Sequence, residues 1–227
     1  MRLHRTPQTD AVLFDLDGVI INSNPAIINA WVSVSEEYGY TLTREDTERF
    51  IIGASYEYTM RNLFSEMESD IRNVFHSKVD KLEQETLCEI IPGVVDFLNA
   101  LKNCHIKTGL VTSSWPEKIR MVLQQHNLQC FDTIVSRDDV LRGKPDPLPY
   151  LVAMEDLHIR PQNCLIFEDS DNGIRSALSA GAHCIAINND FSNLISVKDF
   201  TELEVGVEEL IFKFSKGEKG IRLKKTS

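Results

Sequence analysis

The chain has 227 residues, 42% of them hydrophobic and 26% charged, enough to bury a core of ordinary size with no need of disulfides. Its formal net charge of -10 would repel a polyanion, which argues against nucleic acid as the main partner, and no stretch approaches the length of an apolar membrane span. Cys88, Cys104, Cys130, Cys164 and Cys184 are odd in number and form no Cys-x-x-Cys pair, and the six histidines are equally scattered, so a disulfide framework and a zinc finger are both disfavoured.

"MRLHRTPQTD" runs straight into the apolar "AVLFD", which leaves no room for the apolar core of a signal peptide and makes a cytoplasmic setting the expectation. From about Ser23 to about Glu89 no strand pattern occurs. Apolar residues recur there at helical spacing, as in "AIINAWVSVSEEYG", "TREDTERFI", "YTMRNLFSEM" and "RNVFHSKVDKLEQETL", so this segment is expected to be all helical. "IIPGVVDFLNALKN" then reads as a helix opened by Pro92. Four further apolar runs, "KTGLVTS", "FDTIVS", "NCLIFED" and "HCIAIN", alternate with the helical patterns "PEKIRMVLQQHN", "DPLPYLVAMEDLH" and "DNGIRSALSAG". Pro116 suits a first helical turn and Gly181 a position just past a helix end. This alternation predicts an α/β fold: a Rossmann-like, doubly wound parallel sheet at residues 1–22 and 90–227, with an inserted helical domain at 23–89. The basic tail "KFSKGEKGIRLKKTS" reads as a solvated or frayed end.

Ligands of open parallel sheets collect at the carboxyl ends of the strands. The first predicted strand ends in Asp15 and Asp17, one residue apart; the second ends in Thr112, Ser113 and Ser114; the fourth runs into Glu168, Asp169 and Asp171; and "RGKPDP" places Lys144 in a Gly-Pro-framed loop. Taken singly, each has an ordinary reading as turn, helix cap or solvated charge. Jointly they put carboxylates, hydroxyls and one cation on a single rim, a composition suited to magnesium and a phosphate. Lys144, Thr112 and the backbone N–H groups from Leu16 to Gly18 would serve phosphoryl oxygens.

The ordered motifs "FDLDGV", "VTSS", "GKPDP" and "FEDSDNG" resemble those of the haloacid dehalogenase superfamily, in its branch of β-phosphoglucomutases and sugar phosphatases with a helical cap after the first motif. That resemblance implies Asp15 as a nucleophile that becomes an aspartyl phosphate, and Asp17 as general acid and then base. It implies Thr112, Ser113, Lys144 and Gly18 as phosphate-binding residues. Magnesium would be held by Asp15, Asp169, Glu168 and the backbone carbonyl of Asp17. An Asp at position 17 favours phosphoryl transfer over dehalogenation, because an oxygen leaving group needs a proton.

Two departures bear on substrate. Asn22 stands where relatives carry an acid at the cap hinge. In "IIGASYEY", the cap loop resembling the family's substrate-contact loop, Ile52 and Tyr56 flank Gly53 and Ser55 where a Lys and an Arg are expected of a mutase. Ile52, Gly53, Ser55 and Tyr56 are therefore candidate substrate contacts, and a phosphatase acting on a small phosphorylated metabolite, a sugar or polyol phosphate, is preferred to a phosphomutase and to a non-enzymatic binding module. A monomer or weak dimer is expected.

Overall fold

In a computed structural model of the protein, residues 9–205 are described, together with the strand backbones at 209–212 and 219–222. The five apolar runs become β1 (Ala11–Phe14), β2 (Lys107–Val111), β3 (Thr133–Val135), β4 (Cys164–Glu168) and β5 (His183–Ile187), and a sixth strand, β6 (Ile195–Val197), joins them. All pairings are parallel, in the order β3-β2-β1-β4-β5-β6. The chain winds outward from β1 to β3 and then returns to continue on the other side through β4, so β1 and β4 flank the place where winding reverses.

Every residue of β1 and β4 is buried, which is why both read as unbroken apolar runs rather than alternating ones. Val12 and Phe14 point to one face and Ala11 and Leu13 to the other. On the first face α5 (Val94–Asn103) and α6 (Pro116–Gln125) pack over an aromatic cluster in which Phe14 stacks on Phe167 at 5.4 Å and Phe97 meets Phe167 edge-on at 5.3 Å. On the second, α7 (Leu148–Asp156) and α8 (Asp171–Ser179) cover Leu13 and Ile166 with Tyr150, Met154 and Ile174.

Between β1 and α5 lie α1 (Asn24–Glu37), α2 (Arg44–Phe50), α3 (Tyr56–Leu63) and α4 (Ser69–Gln84), and no strand. They close around an apolar cluster of their own, with Trp31, Phe64 and Phe75 at its centre and the last two rings 5.0 Å apart. Thr43 and Asp46 form a reciprocal capping box that starts α2, and the Ser55 hydroxyl caps α3. The chain enters and leaves this helical segment side by side: Ile21 bridges Ile90, and the Asn22 N–H donates to the Glu89 carbonyl at 2.8 Å.

Three details depart from expectation. Pro92 does not open α5; the helix starts at Val94 with Gly93 as its N-cap at φ +80°. A side chain at Gly93 would meet the Thr201 nitrogen at 2.7 Å, so close packing and a left-handed backbone require glycine at that N-cap, and Pro92 stands one residue outside it. β6 was not foreseen because it has three residues, only one of them buried. The chain then forms an antiparallel sheet of β7 (Leu203–Val205), β8 (Glu209–Phe212) and β9 (Lys219–Arg222), so part of the basic tail is strand rather than a frayed end. The rest of that tail lies outside the described residues, as do residues 1–8, on which the expectation about a leader rested. Among the described residues no helix is long and apolar enough to cross a membrane. All five cysteines are free thiols, two of them buried.

Candidate active site

β1 ends at Phe14, and the next residue, Asp15, donates its N–H to the Phe167 carbonyl at 3.1 Å, so the loop leaving β1 stays pressed against β4. β2 delivers Thr112, whose N–H donates to Val135 at 2.9 Å, and β4 delivers Glu168 and Asp169. The loop before α7 carries Lys144 into the same rim. Its ammonium, 1% exposed, donates to Asp15 Oδ1 at 2.8 Å, Glu168 Oε1 at 2.6 Å and the Val111 carbonyl at 3.0 Å. Burial would depress this lysine, yet Asp15 and Glu168 hold it above its ordinary value. Glu168 is saturated: its Oε1 also accepts from the Tyr150 hydroxyl, while Oε2 accepts from the Asp169 N–H at 3.2 Å and the Ser170 hydroxyl at 3.3 Å.

Lys144 does not compensate all the negative charge. Burial pushes Asp15 up to about 7 against the pull of Lys144, and Asp169 is lifted well above its ordinary value by burial and by its neighbours Glu168 and Asp15. One oxygen each of Asp15, Glu168 and Asp169 lies within 4.8 Å of the others. Buried oxygen donors with an excess of negative charge fit a hard divalent cation. Gly18 stands over this cluster at φ +76°; a side chain there would come within 1.9 Å of Asp169 Oδ2. Asn24, the first residue of α1, donates to that same oxygen at 2.5 Å.

Asp17 has a lysine of its own. Lys118 Nζ lies 2.8 Å from Asp17 Oδ1 and 3.0 Å from Glu83 Oε2, on α4. The Ser23 hydroxyl donates to Asp17 Oδ1 and the Ser114 hydroxyl to Oδ2, each at 2.6 Å. Burial alone would raise Asp17, but the Lys118 charge and these donors outweigh it and leave the carboxyl below its ordinary value. The two neighbouring aspartates thus sit in opposite electrostatic settings.

A cavity of about 60 Å³ takes in both aspartates and Ser113 from the rim, and Gly53, Tyr56, His76, Asp80 and Glu83 from the helical segment, with Trp115 and Arg137 completing its wall. The Ser113 hydroxyl is buried without a partner among the described residues, and Thr112 Oγ1 accepts from the Ser114 N–H at 3.0 Å. Of the four candidate substrate contacts, Gly53 and Tyr56 line this cavity. Ile52 lines a separate cleft of about 970 Å³ that opens beside Gly18 and Asp169. Ser55 donates its N–H to the Lys144 carbonyl at 2.9 Å, and a side chain at Gly53 would reach within 1.8 Å of Ser170 Oγ, so the loop at 52–55 is seated directly on the loops that carry Lys144 and Asp169.

Sequence reasoning did not reach Lys118, Glu83, Asp80, Arg137, Ser23 or Asn24. One signal was available: Lys118 stands in the first turn of α6, where the helix dipole disfavours a cation, so its presence there called for a carboxylate partner. His76, Asp80 and Glu83 are spaced to share one face of α4, which gave a second signal once that helix was assigned.

Residues 12–187 match the family described as haloacid dehalogenase-like hydrolase. The chain belongs to that family. It is 34% identical over 177 residues to a phosphorylated carbohydrates phosphatase of Thermotoga maritima, covering 76% of this chain and 82% of the relative. It is 32% identical over 179 residues to hexitol phosphatase A of Escherichia coli, covering 78% and 82%. Among solved structures, a β-phosphoglucomutase of Clostridium difficile superposes with a TM-score of 0.74 at 23% identity, covering 87% of this chain and 94% of the other, a likeness of fold.

Proposed function

We infer that this hydrolase is a magnesium-dependent phosphatase that cleaves a small phosphorylated sugar or polyol through an aspartyl phosphate on Asp15. The class expected from the motifs, a phosphoric monoester hydrolase, agrees with relatives named as phosphatases of phosphorylated carbohydrates and of hexitols. The observation that carries the reading is the pair Asp15 and Asp17 on one cavity, each held by a different buried lysine.

In the first half of the reaction an Asp15 oxygen forms a bond to phosphorus as the ester P–O bond breaks, and Asp17 gives its proton to the departing oxygen. In the second, Asp17 takes a proton from water as that water attacks phosphorus, which restores Asp15 and releases phosphate. The surroundings of Asp17, three donors and no acceptor among the described residues, suit the ionised form this second half requires, and the proton Asp17 then takes from water is the one it gives to the next departing oxygen. Lys144 neutralises the transferred group, and the Thr112 and Ser113 hydroxyls with the N–H groups of Leu16 and Asp17 supply donors to its oxygens, whereas the Gly18 N–H, expected to do the same, is spent on the Ile21 carbonyl at 2.7 Å. Asp15, Asp169 and the Asp17 carbonyl would hold magnesium, with Glu168 supporting both the site and Lys144; the cation would contribute charge neutralisation at the phosphoryl oxygens.

Residues 23–89 act in this proposal as a cap hinged where Asn22 meets Glu89, and substrate choice resides largely in its contacts with the rim. A phosphatase is preferred to a mutase because Ile52 and Tyr56 offer no cation to a second phosphate. Five free thiols fit the cytoplasmic setting, and a monomer or weak dimer completes the reading.

Phosphate release from a panel of sugar and polyol phosphates, with magnesium or with chelator, tests the proposal. Release is expected to need both the metal and Asp15, with Asp15→Asn slower by about 10³-fold or more while its melting temperature stays close to native. An active Asp15→Asn protein would sink the reading.

A further inference from the structure

The wall of the small cavity facing Asp15 and Asp17 has chemistry that the hydrolytic machinery does not use. Arg137, which follows β3, holds Asp80 of α4 with two parallel hydrogen bonds, 2.7 Å to Oδ2 and 3.1 Å to Oδ1. The pair is partly buried, with the two side chains 24% and 22% exposed. Arg137 also lies 3.0 Å from His76 Nε2, and its guanidinium stands 5.0 Å from the centre of the Trp115 ring. The His76 ring stacks on Tyr56 at 3.7 Å, and burial, against the pull of Asp80, keeps its imidazole below the usual value. Because a guanidinium can only donate, the contact with Arg137 makes Nε2 an acceptor, and the ring adds no positive charge to the wall.

Arg137 is thus the only cation among the described residues lining the cavity, against four carboxylates, Asp15, Asp17, Asp80 and Glu83. The lysines just behind the wall are committed as well, Lys118 to Asp17 and Glu83 and Lys144 to Asp15 and Glu168. A planar guanidinium is the side chain best shaped to grip a phosphate or carboxylate. Here both arms of its fork that could do so already hold a carboxylate.

We propose that Asp80 is a specificity-determining residue: by occupying Arg137 it denies the cavity a free cation, excludes substrates bearing a second anionic group, and leaves the Asp80 and Arg137 edge to bind hydroxyls of a neutral alcohol. The proposal rests on the phosphatase reading above. Asp80 keeps lone pairs beyond the two used by Arg137, and after its bonds to Asp80 and His76, with Nε 3.7 Å from Asp138, the guanidinium keeps a second Nη2 hydrogen, so the pair offers acceptors and a donor to a hydroxyl at the cavity wall beside Trp115. A second phosphate would instead meet Asp80 and Glu83, and like charges brought together at a desolvated surface are strongly rejected.

The test compares kcat/KM for sorbitol 6-phosphate and glucose 1,6-bisphosphate, with magnesium present, in the native protein and in Asp80→Asn. The native protein is expected to favour the monophosphate by about tenfold or more. Asp80→Asn is expected to lose activity on the monophosphate and to gain it on the bisphosphate, by about threefold or more, because Arg137 is set free. A gain on one substrate is a result that loosened packing does not give. Equal loss on both substrates would overturn the proposal, as would a native protein that prefers the bisphosphate. If Asp80→Asn melts too low to assay, Arg137→Gln carries the test: it is expected to weaken the monophosphate through KM with no gain on the bisphosphate, and a gain on losing the cation would overturn the assignment. A native protein that releases no phosphate from either ester or from the wider panel would defeat the phosphatase reading itself, a result distinct from release without a shift in selectivity.

Discussion

The two lysines of the site invite comparison because each neutralises one of two aspartates a single residue apart, yet they are built differently. Lys144 finds all its partners on the sheet rim: Asp15 beyond β1, the Val111 carbonyl on β2 and Glu168 on β4. Lys118 has one partner on the rim, Asp17, and one on α4, Glu83. The bonds of the Lys144 ammonium thus stay within the sheet rim and those of Lys118 span the rim and the helical segment, which reaches the Asp15 side through Asn24 on Asp169 and the Ser55 N–H on the Lys144 carbonyl. In the proposed reaction the covalent step would draw on the more fixed of the two settings, and the proton step would be the one coupled to how the helical segment sits.

Removing each cation should expose that asymmetry. Lys144→Met leaves Asp15 and Glu168 buried without their countercharge, an arrangement that costs about 3–5 kcal/mol of stability, and turnover should be lost with it. Lys118→Met should cost less, about 1–3 kcal/mol, because Asp17 keeps the hydroxyls of Ser23 and Ser114 as donors. Denaturant titration of the two variants checks the order; equal losses would mean that the helical segment is as rigidly part of the site as the sheet. A smaller effect on stability is expected of Gly18→Ala, which forces a methyl against Asp169 at a positive φ. Its signature lies in the metal: the apparent affinity for magnesium should fall by about tenfold or more, measured as the magnesium concentration giving half-maximal phosphate release. Unchanged magnesium dependence would place the cation away from Asp169.

The same asymmetry decides what could be read in advance. Asp15, Thr112 and Asp169 were legible because each directly follows a strand whose apolar run marks its end, and strand ends of one parallel sheet must share a rim, while Lys144, nine residues beyond β3, stood out by its Gly-Pro-framed loop. The helical segment was legible from apolar spacing alone. Lys118 and Glu83 meet only because α4 lies across the start of α6, and that crossing depends on how the cluster around Trp31, Phe64 and Phe75 packs rather than on any local pattern. Asp80 escaped for the same reason, and Arg137, two residues beyond β3, stood out only through that partner on α4. At Pro92, and in the three-residue β6, short-range signals were overridden or too brief to register.

The subtlest consequence concerns pH. Asp15, raised by burial to about 7, and Asp169, raised well above its ordinary value, bind protons in the folded protein at pH values where the unfolded chain has released them. Without metal, stability should therefore fall as pH rises from about 4 through about 7, since the folded state then carries charges that burial penalises. Magnesium needs those carboxylates ionised, so it competes with the protons and its binding strengthens over the same interval. Asp17 behaves in the opposite sense: held below its ordinary value by Lys118, it contributes stability that is lost only when pH drops below about 4, and it adds no slope near neutrality. Melting temperatures measured with chelator and with saturating magnesium should thus diverge steadily between pH 5 and pH 8, the gap widening with pH. Parallel curves would show that Asp15 and Asp169 do not share a cation, and would leave the excess of buried negative charge on the Lys144 side without its explanation.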